Sequence, residues 1–113
     1  MPNNRLEEKL SLARIWRGET RAADADAYLE VLRRTGVADY RAVDGNRGVF
    51  VLRRAQGDRA EFLLLTLWDS REAIARFAGD DIERARYYPE DQQYLLAFAP
   101  TVDHYIVEAE ERP

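Results

Sequence analysis

Eight residues, Glu61-Phe62-Leu63-Leu64-Leu65-Thr66-Leu67-Trp68, constrain the fold more than any other part of this 113-residue chain. The run is too short to span a bilayer and reads as a strand. Side chains alternate along a strand, so Phe62, Leu64 and Trp68 point one way and Leu63, Leu65 and Leu67 the other. A strand that is apolar on both faces is buried on both. The helices that the rest of the chain can form suffice for one face. The simplest cover for the other is a second copy of the same protein.

The neighbouring segments give this strand its setting. Residues 12–19 read as a first strand. A helix follows over about 22–34, with Ala25, Tyr28, Leu29 and Leu32 on one stripe and Gly36 as its stop. Asp44-Gly45-Asn46-Arg47-Gly48 is turn chemistry before a second strand over 48–53, and Gly57 closes a hairpin onto the leucine-rich strand. Asp69 opens a second helix with Glu72 completing a capping box, and Ala73, Ile74 and Phe77 form its inner face. Gly79 breaks it. A further helical piece is expected over 81–88, stopped by Pro89, with a turn or two within 91–97. The last strand is expected over 101–108. Residues 1–11, with Leu6 and Leu10 one turn apart, read as an N-terminal arm, 12–108 as a single domain, and 109–113 as a polar tail.

The order is βαββαβ, an α+β ferredoxin-like antiparallel sheet with helices on one face. Its other face carries Leu63, Leu65 and Leu67. Burying those three leucines is worth about 5–8 kcal/mol. Two such sheets packed face to face form a dimeric α/β barrel, so the expected partner is a homodimeric mate.

Composition narrows the function classes. The formal net charge is −4 and the arginines are scattered, which argues against nucleic acid. There are no cysteines, so disulfides, thiolate metal sites and a cysteine nucleophile are excluded; this suits a cytoplasmic setting. His104 is the only histidine, so one chain cannot build a multi-histidine metal site. No membrane segment or signal peptide is visible. No Gly-x-Gly-x-x-Gly or phosphate-binding loop is present, and no cofactor is expected.

Several motifs together resemble a known family. These are Ala13-Arg14-Ile15-Trp16-Arg17-Gly18, Gly45-Asn46-Arg47-Gly48-Val49, Thr66-Leu67-Trp68-Asp69-Ser70, Phe77-Ala78-Gly79-Asp80-Asp81, Tyr87-Tyr88-Pro89-Glu90-Asp91 and His104-Tyr105. They resemble the antibiotic biosynthesis monooxygenase-like proteins, small dimeric α/β barrels, over about residues 12–108. The resemblance implies a cofactor-independent oxygenase of anthrone- or quinol-like aromatics, a haem-degrading enzyme, or a non-catalytic binder of a small hydrophobic ligand. The haem-degrading branch has a tryptophan, an axial histidine and a strand-one asparagine. Those positions fall here on Phe77, Tyr87 and near Arg17, and none matches.

The site is expected between the sheet and the helices, with the segment 73–88, Phe77 included, along one wall. His104 is the only side chain whose ordinary pKa lies near neutrality, and it shares an apolar face with Val102 and Ile106. It is either a general base that deprotonates a phenol or enol before electron transfer to O₂, or a hydrogen-bonded structural residue. Trp68 and Trp16 either stack on a flat aromatic substrate or pack the core. Arg17 either holds an anionic oxygen or forms a solvated ion pair with Glu19 or Glu108. Tyr87 either places a phenol over the pocket mouth or covers the core.

Overall fold

Alternation decides the sheet. The computed structural model describes residues 11–113, so the expected arm, with Leu6 and Leu10, lies outside the described residues except for Ser11. Strand β1 (Leu12–Arg21), β2 (Asn46–Gln56), β3 (Arg59–Trp68) and β4 (Asp103–Ile106) form one antiparallel sheet in the order β2-β3-β1-β4. β1 and β3 pair along their whole length, from Leu12 opposite Trp68 to Arg21 opposite Arg59. Phe62, Leu64, Thr66 and Trp68 are buried beneath the helices. Leu63, Leu65 and Leu67 take the opposite face and are only half-buried, because no element among the described residues covers them. Phe50, Leu52 and Tyr105, at 51%, 50% and 55% exposure, join them on that open face through their pairing with Leu65, Leu63 and Ala13.

The helical layer departs from expectation at three places. The first helix does not stop at Gly36. It runs as α1 (Ala25–Leu32), a π-helical turn (Arg33–Val37) and α2 (Ala38–Ala42), ending only where Val43 turns extended. Gly36 is buried inside the turn and does not terminate the helix. Thr35 Oγ1 takes part by donating to the Val31 carbonyl at 2.7 Å, a bond that bends helices. The one-residue bulge turns Tyr40 inward, where it is 4% exposed.

The second helix, α3 (Arg71–Ala78), is capped by Ser70 and not Asp69; the Ser70 hydroxyl accepts from the Ala73 N–H at 3.1 Å. No helix forms over 81–88. The Ala85 N–H donates to the Pro100 carbonyl and the Val102 N–H to the Glu83 carbonyl, both at 2.9 Å, so the backbone spends its bonds across the molecule. That pairing also shortens the last strand to Asp103–Ile106, with an isolated bridge between Arg84 and Thr101 before it. A 3-10 turn forms over Pro89–Gln93, earlier than the turn expected within 91–97. Among the described residues no helix is long and apolar enough to cross a membrane.

The connection into β2 is tight. Gly45 has φ +95°, and a Cβ there would lie 2.5 Å from the Ala73 Cβ on α3. Gly45→Ala therefore combines backbone strain with a clash. It should lower unfolding free energy by about 1–3 kcal/mol, read from urea titrations of the two proteins. An unchanged midpoint would contradict this packing.

Candidate functional site

Between sheet and helices lies a cavity of about 20 Å³, room for one water. The sheet contributes Trp16 and Leu64, the first helical layer Tyr28, Leu32, Thr35, Gly36 and Tyr40, and α3 contributes Phe77. Arg86, Tyr88 and Asp91 close it from the irregular stretch after α3. Each wall has a local cause. Trp16 lies along its own strand over Gly18, where any Cβ would fall inside the indole. Tyr40 is delivered by the π turn and stacks on Phe77 with ring centroids 4.1 Å apart. Trp68 backs both rings from the core.

The polar groups around this cavity are buried and specific. Asp91 is 3% exposed; its Oδ1 accepts from the Tyr28 hydroxyl at 2.9 Å and its Oδ2 from the Tyr88 backbone N–H at 2.7 Å. Burial first, and the Asp91 charge second, push the Tyr28 phenol far up, so it stays a donor. Arg14 is 1% exposed; Nη1 donates to the Tyr40 hydroxyl oxygen at 3.1 Å, Nη2 donates to the Arg84 carbonyl at 2.8 Å, and Nε has no partner. The outer side is held by a latch. The Tyr88 hydroxyl and Arg86 Nη2 both donate to Asp39 Oδ2, at 2.6 and 3.2 Å. The Arg86 guanidinium also lies over the Phe77 and Tyr88 rings at 4.8 and 5.1 Å.

The residues singled out from sequence are divided by this geometry. Trp16 and Phe77 line the cavity. Trp68 lies behind it, fully buried, with its N–H donating to Thr66 Oγ1 at 2.8 Å. Tyr87 stands outside the cavity wall, edge-on to Trp16 and Phe98, and donates to the Ala99 carbonyl at 2.6 Å. Burial raises its phenol, and the neighbouring Trp16 N–H partly offsets this. Arg17 is the clearest correction. It shares parity with Ile15, so it lies on the open face of the sheet, away from the cavity, and pairs with Asp103 at 2.9 Å and not with Glu19 or Glu108. There it borders a shallow surface groove of about 320 Å³ with Leu52 and Leu63.

His104 pairs with Arg14 across the β1–β4 register, on the helix side of the sheet, but does not line the cavity. Its Nδ1 lies 3.3 Å from Glu83 Oε1, and neither ring nitrogen makes a hydrogen bond. Burial holds the imidazole below its ordinary value; Glu83 opposes this and Arg14 reinforces it.

Arg14, Tyr40 and Asp91 escaped the sequence reading. Arg14 did carry a signal, since it sits between Leu12 and Trp16 on the inward parity of β1, where a charge is out of place. Asp91 carried none, lying in a polar run. Among the described residues no cluster of three His, Cys, Asp or Glu could hold a metal ion.

The profile of the antibiotic biosynthesis monooxygenase family matches residues 13–85. The chain belongs to that family. Arg14, Trp16, Tyr40 and Phe77 fall within the matched span, whereas Tyr88 and Asp91 lie beyond it. No curated protein matches the sequence. Among solved structures, SnoaB, a cofactor-independent oxygenase from Streptomyces nogalater, is similar with a TM-score of 0.56 at 14% identity, over 91% of this chain and 96% of its own. A heme-degrading protein from Mycobacterium tuberculosis is similar with a TM-score of 0.58 at 17% identity, over 92% and 98%. A protein of unknown function from Nitrosomonas europaea reaches a TM-score of 0.65 at 18% identity, over 94% and 97%. At these identities the likeness carries the fold alone.

His104 links the site to pH. Its pKa is depressed from 6.5 by burial, so as the pH falls the unfolded chain takes up the proton first. The stability contributed by the neutral imidazole is complete above 6.5 and is lost as the pH drops through the lower folded value. Denaturation midpoints should fall between about pH 7.5 and 5.5, and His104→Gln should flatten that slope. Parallel slopes in both proteins would remove His104 as the source.

Proposed function

We propose that this protein is a cofactor-independent monooxygenase acting on a small, planar, electron-rich aromatic of the anthrone or quinol class. The observation that carries this reading is the cavity itself: five aromatic side chains and one buried carboxylate enclosed between sheet and helices. A fused-ring ligand needs about 300 Å³ or more, against about 20 Å³ here. On this reading the ligand displaces Tyr88 and Arg86, the exposed side of the wall.

The chemistry asks little of the protein. An anthrone methylene loses a proton to give a delocalised carbanion, which passes one electron to O₂; recombination forms a C–O bond. The resulting hydroperoxide loses water as its O–O bond breaks, so anthrone plus O₂ gives quinone plus water. Asp91 lines the cavity and is the proton acceptor in this scheme, in place of His104, which stands beside Arg14 outside the wall. Trp16, Tyr28 and Phe77 hold the substrate plane. With 1,8-dihydroxyanthrone as probe, oxygen uptake should exceed the spontaneous rate, one O₂ per quinone formed. Asp91→Asn should lower it by about 10²–10⁴-fold.

His104 sits outside the cavity wall, and this favours a second reading, a protein that binds a small hydrophobic ligand without chemistry. Binding of the anthrone with no uptake above the spontaneous rate would select it.

We also infer that two copies pair through the open sheet face. Leu63, Leu65 and Leu67 with Phe50, Leu52 and Tyr105 form a continuous apolar surface, of the kind that marks an interaction site. Sedimentation at micromolar concentration should give twice the chain mass, and Leu65→Arg should give a folded single chain. A wild-type monomer would reject the pairing.

A further inference from the structure

Arg14 is a buried cation with no anionic partner among the described residues. It is 1% exposed, and the groups that it contacts, the Tyr40 hydroxyl, the Arg84 carbonyl and the Phe77 ring at 5.5 Å, are uncharged. Its Nε has no hydrogen-bond partner among the described residues. Glu83 on the same side of the sheet reaches His104. Guanidinium does not shed its proton, so the charge persists wherever it is placed. Buried charges are ordinarily paired, because desolvation costs several kcal/mol per ion. A buried cation bonded to a cavity-lining phenol makes that cavity favourable to negative charge.

Tyr40 carries that charge to the cavity wall. Its hydroxyl oxygen is occupied by Arg14 Nη1, and its own hydrogen finds no acceptor among the described residues. The ring is 4% exposed and lines the cavity. A phenol whose oxygen is already bonded to a guanidinium is a strengthened donor. A donor without an acceptor, backed by a buried cation, describes a site for an oxygen anion.

Building on the oxygenase reading above, we propose that the cavity binds its aromatic ligand as an oxyanion, a phenolate or enolate whose oxygen accepts from the Tyr40 hydroxyl, with Arg14 positioned behind Tyr40 to hold the charge. The preferred ligand is then a hydroxyaromatic that can ionise, and not a neutral hydrocarbon of the same shape. Arg14 is a positioning residue, whereas Tyr40 touches the ligand.

Two fluorescent probes of nearly the same shape test this: 7-hydroxycoumarin, which ionises, and 7-methoxycoumarin, which cannot. The full-length protein should bind the hydroxy probe about tenfold or more tightly than the methoxy probe. The bound hydroxy probe should display the phenolate excitation band. Tyr40→Phe should bring the two affinities within about twofold of each other and abolish the phenolate band, leaving methoxy binding almost unchanged. Arg14→Met should do the same; if it fails to fold, Tyr40→Phe alone decides. Equal wild-type affinities with only the neutral band would overturn the oxyanion site while leaving ligand binding intact, as would a Tyr40→Phe protein that still binds phenolate. Failure of both probes to bind would overturn this inference together with the cavity reading on which it rests.

Discussion

The ten-residue antiparallel pairing of β1 with β3 governs every later contact. It sets Leu12, Arg14 and Trp16 against Trp68, Thr66 and Leu64 on the helix side. A slip of β1 by one residue would send Leu12, Arg14 and Trp16 to the other face and bring Ile15 and Arg17 inward. The flanking strands obey the same register. β4 brings His104 beside Arg14, and β2 brings Phe50 beside Leu65. The cavity and the apolar outer surface are thus two consequences of one pattern of hydrogen bonds.

The helix side of that sheet mixes core and chemistry. Trp68, Phe62 and Ile74 are fully buried. In the same layer the buried Asp91 and Arg14 do not pair with each other. Tyr28 donates to the carboxylate, and Tyr40 accepts from the guanidinium. Direct pairing would leave a purely structural ion pair. Both phenols line the cavity, so each charged group reaches it through a ring.

Periodicity made the sheet legible in the sequence. The leucine-rich strand, its two-faced alternation and the hairpin at Gly57 all follow from a spacing of two. Phe77 was legible as an inward aromatic from the helical face that it shares with Ala73 and Ile74. What failed involved backbone bonds between distant segments. Nothing local in 81–88 announces that its N–H and carbonyl groups pair with 100–102, and a short apolar–polar run there reads as helix. The π turn was equally hidden, because Gly36 has the same identity whether it ends a helix or packs inside one. Arg17 and Arg14 differ by three positions and so by face; the apolar neighbours Leu12 and Trp16 hinted at which points inward, and the register decides it.

Gly18 has a consequence beyond its own strand. The indole of Trp16 rests in the space a side chain at position 18 would occupy, with Leu95 closing the far edge. Room in the cavity is therefore set two residues away from the wall that bounds it. An alanine or valine at that point would lever the indole off the sheet and redraw the floor of the chamber without touching any polar group. The size of that chamber is thus governed from the backbone of the first strand.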